Sequence, residues 1–364
     1  MRKNRILYLI QYPPPLHGVS YINKMVYESE KIHEGYQKKR IQMNLFGEIE
    51  SVNSLNIKKL IHFICVGFKL IFNLLFWRPH IVYFSIVPMG KAFFRDVFFC
   101  FFIRISGSKV VYHLHQQGIK NFIGNKTWLK KLYEWIFSHS NIIHLSNGLM
   151  EREIKWLKLK NSQLFVLENG IMDHTFEIEK SIESKNIVFL SHLQESKGVL
   201  ILLEAFAKFI EIHPEYQLIL VGSPNPPEMA DKIGQKLIEL AIVDSVSLLG
   251  PLFGSEKFKV LQSAYMFVLP TLFDAFPLVI LEAFQCGLAV IASDEGAIPE
   301  MIMDGKDGIL ITKNDAQALF QAMCELSENE YIMNMLKTNA YNTYLQRFTQ
   351  ERFECQMRNI LLKL

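Results

Sequence analysis

The 364-residue sequence has only five cysteines, and none of them shows the paired spacing of a disulfide framework or a zinc site. Cys65, Cys100, Cys286, Cys324 and Cys355 stand singly in apolar surroundings. Scattered thiols of this kind are typical of proteins in a reducing compartment. The sequence therefore predicts core thiols, and indicates neither disulfides nor structural zinc.

The chain also lacks an uninterrupted hydrophobic run that could cross a membrane, although half of its residues are hydrophobic and 28 are Phe. The most apolar stretch, 60–77, carries His62 and Lys69 and ends at Arg78, whereas a span needs about 20 apolar residues. The N-terminus shows neither the long apolar core nor the small-residue cleavage site of a signal peptide. We therefore expect a cytoplasmic protein in which 60–77 is a buried or surface-lying helix.

Charge is divided unevenly along the chain. Residues 1–170 contain 24 Lys and Arg against 10 Asp and Glu, a net charge of +14; residues 171–364 contain 15 against 26, a net charge of −11. A basic half favours an anionic partner, either an acidic membrane or a nucleic acid. Attraction between the two halves is the alternative. The lysines are dispersed and no nucleic-acid-binding module is recognisable, so we expect no nucleic-acid partner.

Short apolar runs alternate with segments of helical periodicity in both halves, which is the pattern of parallel sheets covered by helices. The length suits two domains of roughly 170 residues. Two doubly wound domains that face each other leave a cleft at the carboxyl ends of their strands, where ligands bind in such α/β folds. The predicted strands lie at 6–11, 40–45, 81–85, 110–115, 142–145, 164–167, 187–190, 218–221, 246–249, 267–269, 289–292 and 308–311.

Domain boundaries follow from composition. We place the first domain at 1–171, a polar and acidic linker at 172–185, the second domain at 186–345 and a helical tail at 346–364. The first domain contains an amphipathic crossover helix. Its predicted apolar face comprises Leu60, Phe63, Ile64, Gly67, Phe68, Ile71, Leu74 and Leu75.

Two segments that follow predicted strands are candidates for phosphate binding. In PPPLHGVSYIN, Gly18 precedes a helix and would let backbone amides approach an anion, although without a full G-x-G-x-x-G the segment also fits an ordinary turn. In SHLQESKG, His192 and Lys197 stand where side-chain charge and helix amides together could hold a diphosphate. A solvated lysine at a helix start is the alternative for Lys197.

The strongest candidate segment is DAFPLVILEAFQCGLAVIASDEGAIPEMI, at 274–302. Asp274 would lie in a loop near the helix start with Glu282 about two turns away, and each could accept from sugar hydroxyls. The exposed amides of Phe276, Leu278 and their neighbours could meet phosphate or sugar oxygens, so Pro277 is included in the predicted site. Two acids also suit glycoside hydrolysis, but their different settings argue against a symmetric pair.

Segment 274–302 resembles the E-x7-E region of the retaining GT-B family called glycosyl transferases group 1, which includes bacterial enzymes that build capsules, lipopolysaccharides and glycolipids. SHLQESKG resembles its G-R-L-x-x-x-K-G segment, and ENGIMD its N-G-(I/V)-D junction. LILVGSP and VSLLGPL recur at the expected spacing. The resemblance is close over 165–330 and looser before that.

The resemblance implies roles for individual residues. Lys197 would bind the donor diphosphate and Glu282 the ribose hydroxyls, while Asp274 would contact the transferred sugar. Gly18 would lie beside the phosphates or the sugar, and His115, in YHLHQQG, near the sugar. The implied catalytic residues are therefore Asp274, His115 and Glu282. The implied donor-binding residues are Gly18, His192, Lys197, Gly250, Leu252, Phe276, Pro277, Leu278 and Glu282.

Three residues depart from the family pattern. Asp274 replaces the usual first Glu and shortens its reach by one methylene, which affects sugar preference more than activity. His192 replaces an Arg, and a histidine is charged only in part near neutral pH. Ser191 replaces a Gly. In the family, the helical tail crosses back to the first domain.

The sequence has no D-x-D metal motif in a plausible loop. A family enzyme would neutralise the leaving diphosphate with Lys197, helix dipoles and backbone amides, so we expect metal-independent transfer with retention at the anomeric carbon and no cofactor besides the UDP- or GDP-sugar. The competing readings are a catalytically silent binding or scaffolding protein, a GT-B sugar-nucleotide epimerase and a phosphorylase-like enzyme. The last lacks a recognisable pyridoxal lysine.

Two helical segments bear on the acceptor. In 125–137, Trp128, Trp135 and neighbouring apolar residues oppose lysines, which is typical either of an interfacial helix or of a helix that covers the sheet. For 91–105 we favour a sheet-covering helix. With the basic half, these segments indicate a lipid-linked or cell-surface polysaccharide acceptor and a peripheral position on the inner face of the membrane.

Overall fold

The computed structural model describes residues 4–44, 57–174 and 185–364. It divides into two compact units: unit 1 comprises Met1–Asn169 with Glu351–Leu364, and unit 2 comprises Gly170–Gln350. The linker expected at 172–185 falls mostly outside the described residues, as does Leu45 at the end of the second predicted strand.

Each unit is built from strands that alternate with helices. The strands are β1 (Asn4–Ile10), β2 (Tyr36–Gln42), β3 (Ile81–Phe84), β4 (Lys109–His113), β5 (Asn141–His144), β6 (Gln163–Val166), β7 (Asn186–Leu190), β8 (Gln217–Val221), β9 (Val246–Gly250), β10 (Ala264–Leu269), β11 (Ala289–Ser293) and β12 (Ile309–Ile311). The α-helices are α1 (Gly18–Glu28), α2 (Ile57–Phe72), α3 (Gly90–Ile105), α4 (Ile119–Ile123), α5 (Thr127–Phe137), α6 (Asn147–Met150), α7 (Val199–Ile212), α8 (Met229–Glu239), α9 (Gly254–Gln262), α10 (Leu278–Gln285), α11 (Ile298–Met301), α12 (Ala316–Glu328), α13 (Glu330–Thr343) and α14 (Gln350–Leu362). π-Helical turns occupy Asn73–Trp77, Glu151–Lys155 and Tyr344–Phe348, and 3-10 turns occupy Glu195–Lys197 and Val243–Ser245.

The twelve predicted strands correspond to β1 to β12, and ten of them begin within two residues of the predicted position. Strands such as β3 and β10 are buried along their whole length, so they read as continuous apolar runs. The largest displacement is at β2, which begins four residues earlier than predicted. It lies at the sheet edge and pairs only with β1, so its first residues are polar and alternate in burial.

Both sheets are parallel and six-stranded. In unit 1 the order is β2-β1-β3-β4-β5-β6, and in unit 2 it is β12-β11-β10-β7-β8-β9. The chain reverses its direction of winding between β1 and β3 in unit 1, and between β7 and β10 in unit 2. In doubly wound sheets, ligands bind at the carboxyl ends of the strands beside this switch point. The topology therefore predicts that a ligand of unit 2 binds at the loops after β7 and β10.

The apolar face predicted for the crossover helix is wrong in part. Val66, Gly67 and Leu70 are buried in α2, whereas Leu60, Ile64 and Phe68 are exposed. Apolar residues occupy most of the circumference of α2, so periodicity could not select the side that packs on the sheet. Among the described residues, one helical stretch, Ile57–Trp77, is long and apolar enough to cross a membrane. Only 22% of its most apolar 18-residue segment is buried.

Helices α3 and α5 each pack one side on the core of unit 1. In α3, Phe93, Phe99 and Ile103 are buried, as expected for a sheet-covering helix, but Phe94, Phe98, Phe101 and Ile105 are exposed. In α5, Leu129, Tyr133, Ile136 and Phe137 belong to the core, and Trp128 is exposed. Both helices are thus partly core and partly apolar surface.

Unit 1 includes the C-terminal helix. Residues Phe353, Met357, Ile360 and Leu361 of α14 are buried. On the polar side of this helix, Lys31 Nζ lies 3.1 Å from Glu351 Oε1, and Glu34 pairs with Arg358. The described part of unit 1 is therefore assembled from both ends of the sequence.

Candidate active site

The loops that follow β7 and β10 are held together by hydrogen bonds. The carbonyl of Ser196 accepts from the backbone N–H groups of Leu272 at 2.9 Å and Phe273 at 3.1 Å. The hydroxyl of Thr271 donates to the same carbonyl at 3.1 Å. The switch point of unit 2 thus brings Lys197, which follows Ser196, next to the loop that carries Asp274.

Two glycines permit the backbones to approach closely at this point. Gly198 has φ +77°, and a Cβ there would lie 1.9 Å from the carbonyl oxygen of Pro270. Gly296, after β11, has φ +60°, and its Cβ would lie 1.9 Å from the carbonyl oxygen of Asp274. Both positions are in the left-handed region, and a side chain at either would collide with backbone. Three loops therefore converge on the segment at Asp274.

Lys197 and Asp274 form a mostly buried ion pair. Lys197 Nζ lies 2.5 Å from Asp274 Oδ2 and donates to the carbonyl of Phe273 at 3.0 Å. The other carboxylate oxygen of Asp274 accepts from the backbone N–H of Phe276 at 3.2 Å. Both carboxylate oxygens of Asp274 thus accept hydrogen bonds within unit 2, and the amide of Phe276 donates to one of them. An ammonium group has three N–H donors, so one donor of Lys197 remains beyond these two bonds.

Glu282 lies inside α10, just over one turn from its first residue, Leu278. This is closer to the helix start than the sequence suggested, because the helix begins only after Pro277. Glu282 Oε1 lies 2.6 Å from Lys257 Nζ, and the pair is mostly buried. Glu282 Oε2 is buried and has no hydrogen-bond partner among the described residues. One carboxylate oxygen is thus fixed by a lysine and the other is able to accept from a ligand.

The other predicted donor-site residues of unit 2 lie in loops at the carboxyl ends of the strands. His192 is exposed after β7. Gly250 ends β9 with φ +70°, its carbonyl accepts from Gly222 N–H at 2.9 Å, and Leu252 follows half-buried. Pro277 is buried and supplies no side-chain cap to α10. Of the predicted donor-site residues, Lys197 and Phe276 contact the Asp274 carboxylate directly.

Gly18 of unit 1 is the first residue of α1, one residue earlier than the predicted helix start. His17 caps this helix: its ring accepts from Ser20 N–H at 3.3 Å, while Ser20 Oγ accepts from His17 N–H at 2.9 Å. This reciprocal capping box fixes the turn after β1. Gly18 thus occupies the helix N-terminus beside the switch point of unit 1.

His115 is half-buried and lies beside the buried histidines His113 and His144 at the carboxyl ends of β4 and β5. The rings of His113 and His115 have centroids 4.0 Å apart. His113 Nδ1 lies 2.5 Å from Tyr83 Oη, and His144 Nδ1 accepts from Leu145 N–H at 2.9 Å. The Nε2 atoms of all three histidines are buried without a hydrogen-bond partner among the described residues.

Burial sets the charge of these histidines. Desolvation, with a smaller contribution from His17, lowers the pKa of His115 to about 3. Desolvation and the nearby His115 lower the pKa of His144 to about 3, and desolvation lowers that of His113 well below its ordinary value. His115 is therefore a neutral imidazole near neutral pH, able to accept or donate a hydrogen bond but carrying no charge.

Among the described residues, one group of three side chains could hold a metal ion: His213, Cys324 and Glu328. His213 follows α7, and the other two lie on α12. Since α7 leads back to the start of β8, this group belongs to the amino-end edge of the sheet. It lies away from the loops that carry Lys197 and Asp274.

No motif in the sequence singles out Lys257. It lies on α9, 25 positions before Glu282, and only the packing of α9 against α10 brings the two side chains together. Tyr83, the partner of His113, is likewise on a different strand. Both residues are recognised from contacts between elements, which a single sequence does not display.

The fold is shared with solved structures. HepE of Anabaena, crystallised in complex with UDP, has a TM-score of 0.77 at 17% identity and covers 99% of this chain and 100% of that one. Sucrose-phosphate synthase from Thermosynechococcus elongatus has a TM-score of 0.76 at 16% identity, with 99% of both chains covered. The two parallel six-stranded sheets with their helices are those of the GT-B glycosyltransferases.

The second half of the chain matches a family model. Residues 184–329 match the model described as Glycosyl transferases group 1, so this segment of the chain is similar to that family. Alpha-maltose-1-phosphate synthase of Mycolicibacterium smegmatis is 32% identical over 203 residues, 50% of this chain and 52% of that protein. D-inositol 3-phosphate glycosyltransferase of Corynebacterium urealyticum is 30% identical over 156 residues, 41% of this chain and 36% of that protein. The matches thus span about half, or less, of these relatives.

We predict that Lys257→Met destabilises unit 2 by about 3 kcal/mol, because it leaves the Glu282 carboxylate buried without its cation. Lys257→Arg should keep most of the stability, and Lys259→Met, an exposed lysine on the same helix, should change little. Calorimetric unfolding of the full chain measures this. The double variant Lys257→Met/Glu282→Gln should recover part of the loss; a double variant as unstable as the single one would show that the pair is not the cause.

We also predict that unit 1 loses stability as the pH falls below about 6.5. The folded-state pKa of His144 lies below the unfolded value, so between the two pKa values the unfolded chain binds a proton that the folded chain does not. His144→Asn should reduce the slope of unfolding free energy against pH by up to about 1.4 kcal/mol per pH unit. Urea unfolding followed by tryptophan fluorescence reports on unit 1, which contains all four tryptophans. An unchanged slope would contradict the prediction.

Proposed function

We propose that this protein is a glycosyltransferase that moves a sugar from a nucleotide diphosphate donor, a UDP- or GDP-sugar, to an acceptor, with retention at the anomeric carbon and without a metal ion. The observation that carries the proposal is the convergence of Lys197, Asp274 and the α10 helix with its Glu282 on one edge of unit 2, within the family segment 184–329. Support for a nucleotide donor comes from HepE, which was crystallised with UDP and with UDP-glucose.

Lys197 would hold the diphosphate. Its ammonium group is fixed by Asp274 and the Phe273 carbonyl, so its remaining donor has a defined direction. A fixed cation is effective here because the leaving diphosphate gains negative charge in the transition state. The amide of Leu278 at the start of α10 adds the positive end of a helix dipole. His192 would be a second contact to the phosphates, weaker than the bidentate arginine that it replaces.

Glu282 would bind the ribose. Its Oε2 atom is buried and able to accept, while Lys257 keeps the other oxygen in place. A ribose hydroxyl donates one hydrogen bond to such an oxygen, and a nucleotide without that hydroxyl would leave it unsatisfied. The donor would therefore be recognised as a ribonucleotide.

Asp274 and His115 would contact the transferred sugar. For Asp274 this requires a shift away from Lys197 or Phe276 N–H, or acceptance of an additional bond by an oxygen already engaged. His115 would act as a neutral hydrogen-bonding group, so a permanent positive charge at the sugar would have to come from elsewhere. Gly18 would let the donor lie close to the N-terminus of α1.

We further propose a lipid-linked or cell-surface polysaccharide acceptor and a peripheral position of the cytoplasmic protein on the membrane. The net charge of +14 over residues 1–170 supports attraction to anionic lipid. The exposed apolar side chains of unit 1 support contact with a hydrophobic phase.

The proposal is tested first by nucleotide binding. UDP or GDP, at a hundred times its dissociation constant, should stabilise the protein by roughly 2.7 kcal/mol in a thermal-shift assay, whereas ADP should not. The same shift in the presence of EDTA is the expected result for metal-independent binding. A binding or scaffolding protein would show the shift without releasing nucleotide from the sugar donor in membrane extract, and an epimerase would convert the donor sugar without an acceptor.

Variants then test the site. Lys197→Ala and Glu282→Ala should each lower the rate of transfer by about 100-fold or more while the protein stays folded. Lys232→Ala is the matched control. Lys232 is an exposed lysine that pairs with Glu195, two residues before Lys197, and it is not part of the proposed site. Circular dichroism and the thermal midpoint check the fold. Transfer at the wild-type rate in either site variant would remove the assignment.

A further inference from the structure

Exposed apolar side chains are concentrated in one part of unit 1. Of the 29 large hydrophobic side chains that are exposed among the described residues, 14 fall between residues 57 and 137. They lie on α2 with its π-helical turn, on α3 and on α5, and we call them together the apolar surface. Its members are Ile57, Leu60, Ile61, Ile64, Phe68, Phe72, Leu75, Phe76, Phe94, Phe98, Phe101, Ile105, Trp128 and Trp135.

Helix α2 provides the largest share of this surface. At about 100° per residue, the six exposed apolar residues of α2 fall within one stripe that runs its full length, about 24 Å. Leu75 and Phe76 lie on the π-helical turn that follows. Val66 and Leu70 lie on the opposite side and belong to the buried part of unit 1. The stripe therefore faces away from the core, and nothing among the described residues of unit 1 covers it.

Ring contacts join α2, α3 and α5 into one surface. Phe63 of α2 packs on Phe98 of α3 with ring centroids 5.1 Å apart. Phe94, one turn before Phe98, stacks on Trp128 of α5 at 6.3 Å. The exposed rings of α3 thus continue the stripe of α2 towards the tryptophan of α5.

The same part of the chain is strongly basic. Residues 57–137 contain twelve Lys and Arg against two Asp and Glu, a net charge of +10. Both acids are paired within the unit: Asp96 is buried against Arg95 at 2.7 Å, and Glu134 lies 4.0 Å from Lys130. Lys58 and Lys69 fall beside the apolar stripe of α2 by helical position. Apolar residues flanked by cations match the two phases of an anionic bilayer surface.

We propose that the apolar surface inserts into the interface of an anionic lipid bilayer, with α2 lying in the membrane plane. The inference specifies the surface for the membrane contact that the proposed function includes. A membrane-spanning α2 would have to withdraw Val66, Gly67 and Leu70 from the core, which an in-plane helix does not require. Contact with a second copy of the chain would bring together two segments 57–137, each with a net charge of +10, and these would repel each other. A bilayer of anionic lipid would instead neutralise this positive charge.

The test uses the full-length protein and lipid vesicles. It should bind vesicles that contain phosphatidylglycerol more strongly than vesicles of phosphatidylcholine alone, in a flotation assay. Phe68→Glu/Phe72→Glu should weaken binding to the anionic vesicles at least about tenfold, because it removes two large side chains from the inserted face. Ile212→Glu/Ile238→Glu, equally exposed apolar positions on α7 and α8 of unit 2, should bind like the wild type.

Tryptophan fluorescence identifies the inserted face directly. The emission should shift to shorter wavelength on binding, and Trp128→Phe should remove more of this shift than Trp156→Phe, since Trp156 is outside the apolar surface. Wild-type vesicle binding by Phe68→Glu/Phe72→Glu would overturn the proposal. The proposal would also be overturned if the wild type were a dimer without lipid and this variant were a monomer. The apolar surface would then be covered by a second copy of the chain.

Nucleotide binding separates this inference from the proposed function. Phe68→Glu/Phe72→Glu should keep the UDP- or GDP-induced thermal shift of the wild type, which also shows that it is folded. Vesicle binding without any nucleotide-induced shift would refute the donor assignment and leave the membrane surface standing. A nucleotide-induced shift together with no vesicle binding by the wild type would refute the membrane surface and leave the donor assignment standing.

Discussion

The candidate site depends on a contact between two backbone loops. The carbonyl of Ser196 accepts from the amides of Leu272 and Phe273, and this places Lys197 beside Asp274. The ion pair is therefore a consequence of main-chain geometry. The backbone contact already places the two side chains next to each other. Glycines at 198 and 296 make the approach possible, since a Cβ at either would collide with a carbonyl oxygen. A lysine held in this way has already lost the rotamer entropy that binding an anion would otherwise require.

Sequence reasoning recovered the order of the elements and most of unit 2. Parallel strands that are buried on both faces read as apolar runs, so all twelve were predictable, and only the edge strand β2 began well away from its expected position. Lys197, Asp274 and Glu282 were identified because they lie in short segments with family-like spacing. Lys257 was not, because its meeting with Glu282 arises from the packing of two helices. The engaged state of Asp274 was also beyond reach, since it depends on the amide of Phe276 and on a lysine 77 positions away.

The two halves of the sequence have different physical characters. Residues 1–170 are basic and include the exposed apolar helix α2, while residues 171–364 are acidic and carry the ion pairs of the donor-binding candidates. An acidic half would be repelled by anionic lipid, and a basic half attracted to it. The charge division thus supports the membrane contact proposed for residues 1–170. Periodicity could not foresee which side of α2 is exposed, because that depends on how α3 packs against it.

The grouping of α14 with unit 1 bears on how the chain folds as it is made. Synthesis proceeds from the amino to the carboxyl side, so residues 351–364 of unit 1 are made after unit 2. All of unit 2 leaves the ribosome before this helix does, so it can fold while the first unit still lacks a piece of its core. Buried positions such as Phe353 and Met357 would then close the first unit only after residues 351–364 have emerged from the ribosome. A nascent chain halted before that point would expose the apolar residues that α14 covers. We expect chaperones to bind these exposed residues.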